Sequence, residues 1–209
     1  EHWNAPFFYK EITEVAPANA RVRLTVYRSP GGLYLPEDNT PQWMLTSAEL
    51  PSARLEWSEK PIQLGICQRV RLPVDDFSNF KTLNAARYVQ AAIEAREQGW
   101  NDGLVLNAYG RIAEATSSNV FWWKDGQLFT PPLSEGCVAG VMRDVVLQTA
   151  AENGITSTTL PLTPEQVLLA DELFLTNAIR GIMPAQMAGT QTGHERSLAL
   201  FEQVCAQIF

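Results

Sequence analysis

The sequence predicts an α/β (α+β) fold in two domains, and three observations carry that prediction. Strand-like alternation opens the chain's first half, with Val22, Leu24 and Val26 on one side of Arg21–Arg28. Two helical patterns, Asn84–Gln98 and Val141–Glu152, are each set among short apolar runs. A polar stretch with proline and no period (L-P-V-D-D-F-S-N-F) separates the two parts. The expected organisation is a small α/β domain over 1–71, a linker over 72–80 and a larger domain over 81–209.

Each element has its own signal. Phe7–Val15 has apolar residues at helical spacing, with Lys10, Glu11 and Glu14 on the other face. Ser29-Pro30-Gly31-Gly32 breaks the first strand, and Leu33–Pro41 reads as a loop. Gln42–Leu50 is a second strand and Ile62–Val70 a third, with Ile62, Leu64, Ile66 and Gln68 on one face. The helix at Asn84–Gln98 should bury Ala85, Val89, Ala92 and Ile93, and Gly99 stops it. Leu104–Leu106 and Ile112–Ala113 flank a Tyr109-Gly110 turn, and Lys124-Asp125-Gly126 joins Asn119–Trp123 to Gln127–Thr130 as a hairpin. Asn153-Gly154 ends the Val141 helix, and Thr163-Pro164-Glu165 caps a short one. Glu172–Thr176 and Gly181–Ala188 are strands, and Ser197–Ile208 is a terminal amphipathic helix.

Composition narrows the functional classes. A net charge of −7 in 209 residues argues against nucleic acid or an anionic membrane as partners, since both need a basic face. An anionic small molecule must then be met by local groups. Cys67, Cys137 and Cys205 are widely spaced and form no C-x-x-C pattern, which argues for a reducing compartment without disulfides or zinc. His2 and His194 read as peripheral, so histidine-based triads and metal sites are not expected. With no apolar run of spanning length and no signal peptide, a cytoplasmic setting is expected.

The stretch Gly110–Asp144 organises the rest. It opens with a polar turn that carries one carboxylate, Glu114, and later has a glycine-bounded loop, Gly136–Gly140, that opens into a helix. A helix start is an anion site, because unpaired N–H groups and the helix dipole converge there. A carboxylate at one end and an anion cradle at the other suit a ligand with a cationic ring nitrogen and a phosphate. Pyridoxal 5'-phosphate is such a ligand.

Lys81 stands in F-K-T-L-N, just ahead of a helix and after the linker. Lys-Thr-Leu-Asn, then Ala-Glu-Ala-Thr-Ser-Ser-Asn-Val-Phe, then Gly-Val-Met-Arg, then Leu-Thr-Asn-Ala follow in that order. This series resembles the class IV (fold-type IV) pyridoxal-phosphate enzymes, which include branched-chain and D-amino-acid aminotransferases and 4-amino-4-deoxychorismate lyase. The resemblance runs from about Val22 to the C-terminus. It implies a homodimer with the cofactor in an interdomain cleft. Lys81 would be the Schiff-base lysine, which must be neutral for part of the cycle through burial or a neighbouring cation. Glu114 would keep the pyridinium nitrogen protonated. Ser117 and Ser118 would hydrogen-bond around the ring oxygen or the phosphate. Val141 and Met142 would offer N–H groups to the phosphate, and Thr176 its hydroxyl. Asn177 falls where the aminotransferases more often have glycine. Asn84 would orient a neighbour or cap its helix, and Arg143 would meet a carboxylate or brace a domain interface.

Members of this family carry a segment ahead of the position of Glu1, with the first strands of the small domain and a phosphate-binding arginine. The N-terminal domain is therefore expected to be incomplete here. Ala86 stands where branched-chain aminotransferases place a tyrosine near the ring oxygen. G-V-M-R and L-T-N-A-I-R-G-I-M-P look more like aminodeoxychorismate lyase, an enzyme of folate biosynthesis. Two alternatives stay open, a class IV amino-acid aminotransferase and a non-catalytic cofactor-binding protein.

Overall fold

The computed structural model describes residues 3–209, so the position of His2 lies outside it. The chain separates into two units, Glu1–Arg54 and Leu55–Phe209. In the first, Asn4 caps helix α1 (Ala5–Val15) by accepting from the Phe7 N–H at 2.9 Å. Strands β1 (Ala20–Arg28) and β2 (Pro41–Glu49) pair antiparallel along their whole length. Phe7 and Phe8 meet Trp43 edge-on at 5.8 and 5.7 Å between ring centres.

The third strand expected of the small domain belongs elsewhere. Strand β3 (Ile62–Leu72) pairs in parallel with β4 (Asp102–Asn107) on one side and β10 (Gly181–Met187) on the other. The boundary between units thus falls at Arg54, not near Arg71, because the partners of this strand come from the second half of the chain. The expected linker 72–80 then lies inside the second unit, leading from the end of β3 into a loop.

That unit is built on one eight-stranded sheet in the order β5-β4-β3-β10-β9-β6-β7-β8. The remaining strands are β5 (Ile112–Ala115), β6 (Asn119–Lys124), β7 (Gln127–Thr130), β8 (Ser157–Thr159) and β9 (Glu172–Asn177). The sheet curls, and its concave face encloses Leu64, Leu104, Ile112, Val120, Leu175 and Met183 in one core. Helices α3 (Val141–Glu152) and α5 (Glu195–Ile208) cover part of the outer face through Met142, Val146, Leu200 and Val204, packed on Phe121, Phe174 and Ile182. Phe121 and Phe174 stack across the β6–β9 pair at 5.0 Å.

Helix α2 (Ala86–Glu97) starts two residues later than expected and buries a different stripe. Ala91, Glu94 and Ala95 face inward, while Val89 is exposed. The reason is Glu94, whose carboxylate accepts the β3 N–H groups of Gln68 and Arg69 at 2.9 and 3.0 Å. Those bonds turn the charged side of α2 toward the sheet, and the two alanines let it sit close to Cys67 and Gly103. The short helix α4 (Pro164–Val167) has the full capping box between Thr163 and Gln166. Among the described residues, no helix is long and apolar enough to cross a membrane.

Candidate functional site

Glu114 is the centre of the site, and a β-bulge aims it. Val105 pairs with Glu114 and Leu106 with Ile112, so Ala113 is the extra residue of β5. Strict alternation would put Glu114 on the same face as Ile112, inside the concave core. The bulge turns Glu114 to the outer face instead, toward α2. It is 3% exposed there.

Three elements close on this carboxylate. Oε1 accepts from the Tyr88 hydroxyl of α2 at 2.6 Å. Oε2 accepts from Asn119 Nδ2 of β6 at 3.1 Å and from the Val138 N–H of the glycine-bounded loop at 3.1 Å. Two lone pairs per oxygen make about four acceptor positions, so one on Oε1 stays open. Burial pushes the Glu114 carboxyl up to about 7, against the Tyr88 and Val138 hydrogen bonds and the charge of Lys81, which favour the ionised form.

Folded, Glu114 keeps its proton to about pH 7, whereas the unfolded carboxyl loses it near 4.5. Between those values the folded chain binds more protons, so stability falls as pH rises and then levels off. At about 1.4 kcal/mol per pH unit, the loss is roughly 3 kcal/mol. Urea denaturation of the cofactor-free chain at pH 4.5 and 7.5 should show this loss relative to Glu114→Gln. Equal pH dependence in the two proteins would contradict the assignment.

Lys81 sits on an exposed loop, so of the two expected routes to a neutral amine, burial is not present. The loop is held from Asn79. Its Nδ2 donates to the carbonyls of Leu133 and Cys137 at 2.9 and 2.7 Å, and its carbonyl accepts from the Ala139 N–H at 3.0 Å. These bonds tie the lysine loop to the glycine-bounded loop. Asn84 does not cap α2, whose N-cap is Ala85 and has no side-chain cap bond.

The glycine-bounded loop is shaped by its ends. Gly136 has φ +83°, and a side chain there would meet the Pro73 carbonyl. Gly140 presses on the Asn119 amide oxygen, so a Cβ would collide with it. The first helical bond of α3 runs from the Asp144 N–H to the Gly140 carbonyl at 3.1 Å. The N–H groups of Val141, Met142 and Arg143 precede it and have no acceptor among the described residues. Arg143 meets no carboxylate among the described residues. It is buried, with Nη2 donating to the Pro131 carbonyl at 3.1 Å and Nε unpaired.

Thr176, next to last in β9, lies directly opposite Asn119 of β6. It is 1% exposed, and its hydroxyl has no hydrogen-bond partner among the described residues. Asn177 next to it is a turn-former. Its Oδ1 accepts from the Ile179 and Arg180 N–H groups at 3.1 and 2.9 Å, and its Nδ2 donates to Ser118 Oγ at 3.1 Å. Ser118 is buried, while Ser117 is exposed at the tip of the β5–β6 turn.

The structure therefore gathers Glu114, Ser118, Thr176 and Asn177 around the junction of β5, β6 and β9, with the start of α3 across from them. Sequence reasoning missed Tyr88, Asn79 and Asn119. A tyrosine two residues into α2 was the available signal for the first. For Asn79 the partners, Leu133 and Cys137, are more than fifty residues away, and for Asn119 the five-residue spacing to Glu114 was the available signal.

Comparison with known proteins bears on what this arrangement does. Residues 3–187 match the sequence profile described as amino-transferase class IV. An aminodeoxychorismate lyase of Vibrio harveyi is 31% identical over 185 residues, 87% of this chain and 68% of its own length. A Methanocaldococcus jannaschii protein, provisionally named branched-chain-amino-acid aminotransferase, is 34% identical over 167 residues. That alignment spans 79% of this chain and 58% of the archaeal protein. Among solved structures, the pyridoxal-phosphate form of the branched-chain amino acid aminotransferase of Thermobaculum terrenum superposes with a TM-score of 0.80 at 25% identity. It covers 88% of this chain, which spans 62% of its length.

Proposed function

Because this chain belongs to the class IV aminotransferase family, a family of fold-type IV pyridoxal-phosphate enzymes, we propose that it is a lyase converting 4-amino-4-deoxychorismate to 4-aminobenzoate and pyruvate. The observation that carries the lyase reading is Asn177, whose amide builds the turn after β9 and anchors it to Ser118. The aminotransferases that the motif resembles more often have glycine there. Ala86, in place of their tyrosine, agrees.

The residues fit pyridoxal 5'-phosphate. Thr176 has a buried hydroxyl without a partner, and α3 opens with N–H groups free to meet an anion. Glu114 keeps one acceptor position for a ring N–H. In this reading Thr176 and the N–H groups of Val141 and Met142 hold the phosphate, with Ser117 and Ser118 beside it or the ring oxygen. Bound pyridoxal phosphate supplies an electron sink for the charge left when a proton is removed from the substrate. Glu114 holds a proton on the ring nitrogen. Lys81 Nζ would hold the cofactor and, as a free amine, would take the proton from the substrate ring carbon that bears the amino group. The enolpyruvyl group leaves as the ring becomes aromatic, and its protonation gives pyruvate. A cytoplasmic homodimer serving folate biosynthesis completes the proposal.

The second reading is transamination, favoured by the archaeal relative's name. The same Lys81 would then shuttle a proton between the substrate carbon and the cofactor. Incubation with aminodeoxychorismate separates the two. Release of pyruvate with 4-aminobenzoate supports the lyase, and amino-group transfer to a 2-oxo acid without pyruvate overturns it.

Thr176→Val tests the phosphate contact. The shape is kept and the hydroxyl is lost, and a hydrogen bond to a charged group is worth roughly 1.5–3 kcal/mol. Pyridoxal-phosphate affinity should fall by about ten- to a hundredfold in a titration. Unchanged affinity would remove Thr176 from the cradle.

A further inference from the structure

Glu114 is held on Oε2 by two donors, the Asn119 side-chain amide and the Val138 backbone N–H, and on Oε1 by a single donor, the Tyr88 hydroxyl. Tyr88 comes from α2, whose first turn follows the Lys81 loop, so it joins the lysine-bearing segment to the carboxylate. We propose that Tyr88 is a positioning residue: its hydroxyl on Oε1 fixes the Glu114 carboxylate and leaves one acceptor position for a protonated ring nitrogen.

Three features support this role, which rests on the pyridoxal-phosphate reading above. The bond is short, 2.6 Å, as expected for a hydroxyl donating to a carboxylate. Burial first, and then the charge of Glu114, push the Tyr88 phenol upward, so it remains a donor across the physiological range. And the bond opposes the effect of burial on Glu114, favouring the charged form that a ring cation needs. The other titratable groups facing Glu114 are Lys81 from the loop, which also favours that form, and the buried Cys137 thiol beyond Val138. Burial and Glu114 push Cys137 up to about 12, so it is uncharged where Glu114 titrates. Tyr88 is therefore the one hydroxyl among these groups that can tune the carboxylate without changing its own charge.

The test is Tyr88→Phe in the full chain, which keeps the ring and removes the hydroxyl. Carboxyl carbon-13 resonances of the cofactor-free protein, with Glu114 assigned by its absence in Glu114→Gln, give the titration directly. Loss of the bond should raise the proton affinity of Glu114 about tenfold or more, since such a bond is worth roughly 1.5–3 kcal/mol. Pyridoxal-phosphate affinity near neutral pH should fall in step, because less of the carboxylate is ionised. A Glu114 titration unmoved in Tyr88→Phe overturns the proposal, even if thermal stability drops, since packing alone would move only the latter. The cofactor reading fails separately: if Glu114→Gln leaves pyridoxal-phosphate affinity and absorption unchanged, Glu114 does not serve the ring, whatever Tyr88 does to its titration.

Discussion

A Lys81→Ala chain is expected to lose the visible absorption of lysine-bound pyridoxal phosphate and to lose turnover. Schiff-base formation needs an amine within reach of the cofactor, and the chain offers four lysines, Lys10, Lys60, Lys81 and Lys124. Lys10 pairs with Glu14 at 3.8 Å on α1, and Lys124 pairs with Asp171 at 3.1 Å at the β6–β7 turn. Lys60 precedes Pro61, just before β3. Lys81 makes no ion pair among the described residues, and its charge acts on Glu114. The same side chain would be the proton-transfer group, a role worth about 10²–10⁴ in rate by itself. Turnover should therefore fall at least that far. A mutant that retains the absorption at full stoichiometry would show that Lys81 was wrongly assigned.

Glu114→Gln should keep the cofactor bound yet lower turnover by about 10²–10⁴. The amide fills the same space and can still accept from Asn119 and Val138, so the loop around it should stand. What it lacks is the negative charge that keeps the ring nitrogen protonated. The phosphate cradle at Thr176 and the start of α3 is untouched by the change, so binding should weaken far less than turnover. Steady-state rates at saturating cofactor check this, and unchanged turnover would place Glu114 outside the chemistry.

The sequence was informative where the signal was local. Helix α3 has the bounds expected of it, because Gly140 and Asn153-Gly154 are punctuation that acts on adjacent residues. The Thr163 cap and the hairpin at Lys124-Asp125-Gly126 hold for the same reason. Glu114 and Thr176 were legible as ordered motifs, and both lie buried where β5, β6 and β9 meet.

What failed was long-range. Nothing near Ile62 says that its strand pairs with residues 102 onward and 181 onward, so β3 was placed in the wrong unit. The α2 stripe was read from apolar residues, but a buried Glu94 with two backbone donors outweighed Val89. The bulge at Ala113, which decides where Glu114 points, exists through pairing with β4 and leaves no mark in its own sequence. Tyr88 and Asn79 were overlooked because each is defined by a partner more than twenty residues away.

The account's central claim is that Lys81 is the residue that bonds pyridoxal phosphate. The direct measurement is borohydride reduction of the cofactor-loaded chain, followed by proteolysis and mass spectrometry of the lysine peptides. The account predicts one phosphopyridoxyl group per chain, on the peptide containing Phe80-Lys81-Thr82. A label on Lys10, Lys60 or Lys124 in its place, or no reducible adduct at saturating cofactor, would contradict it.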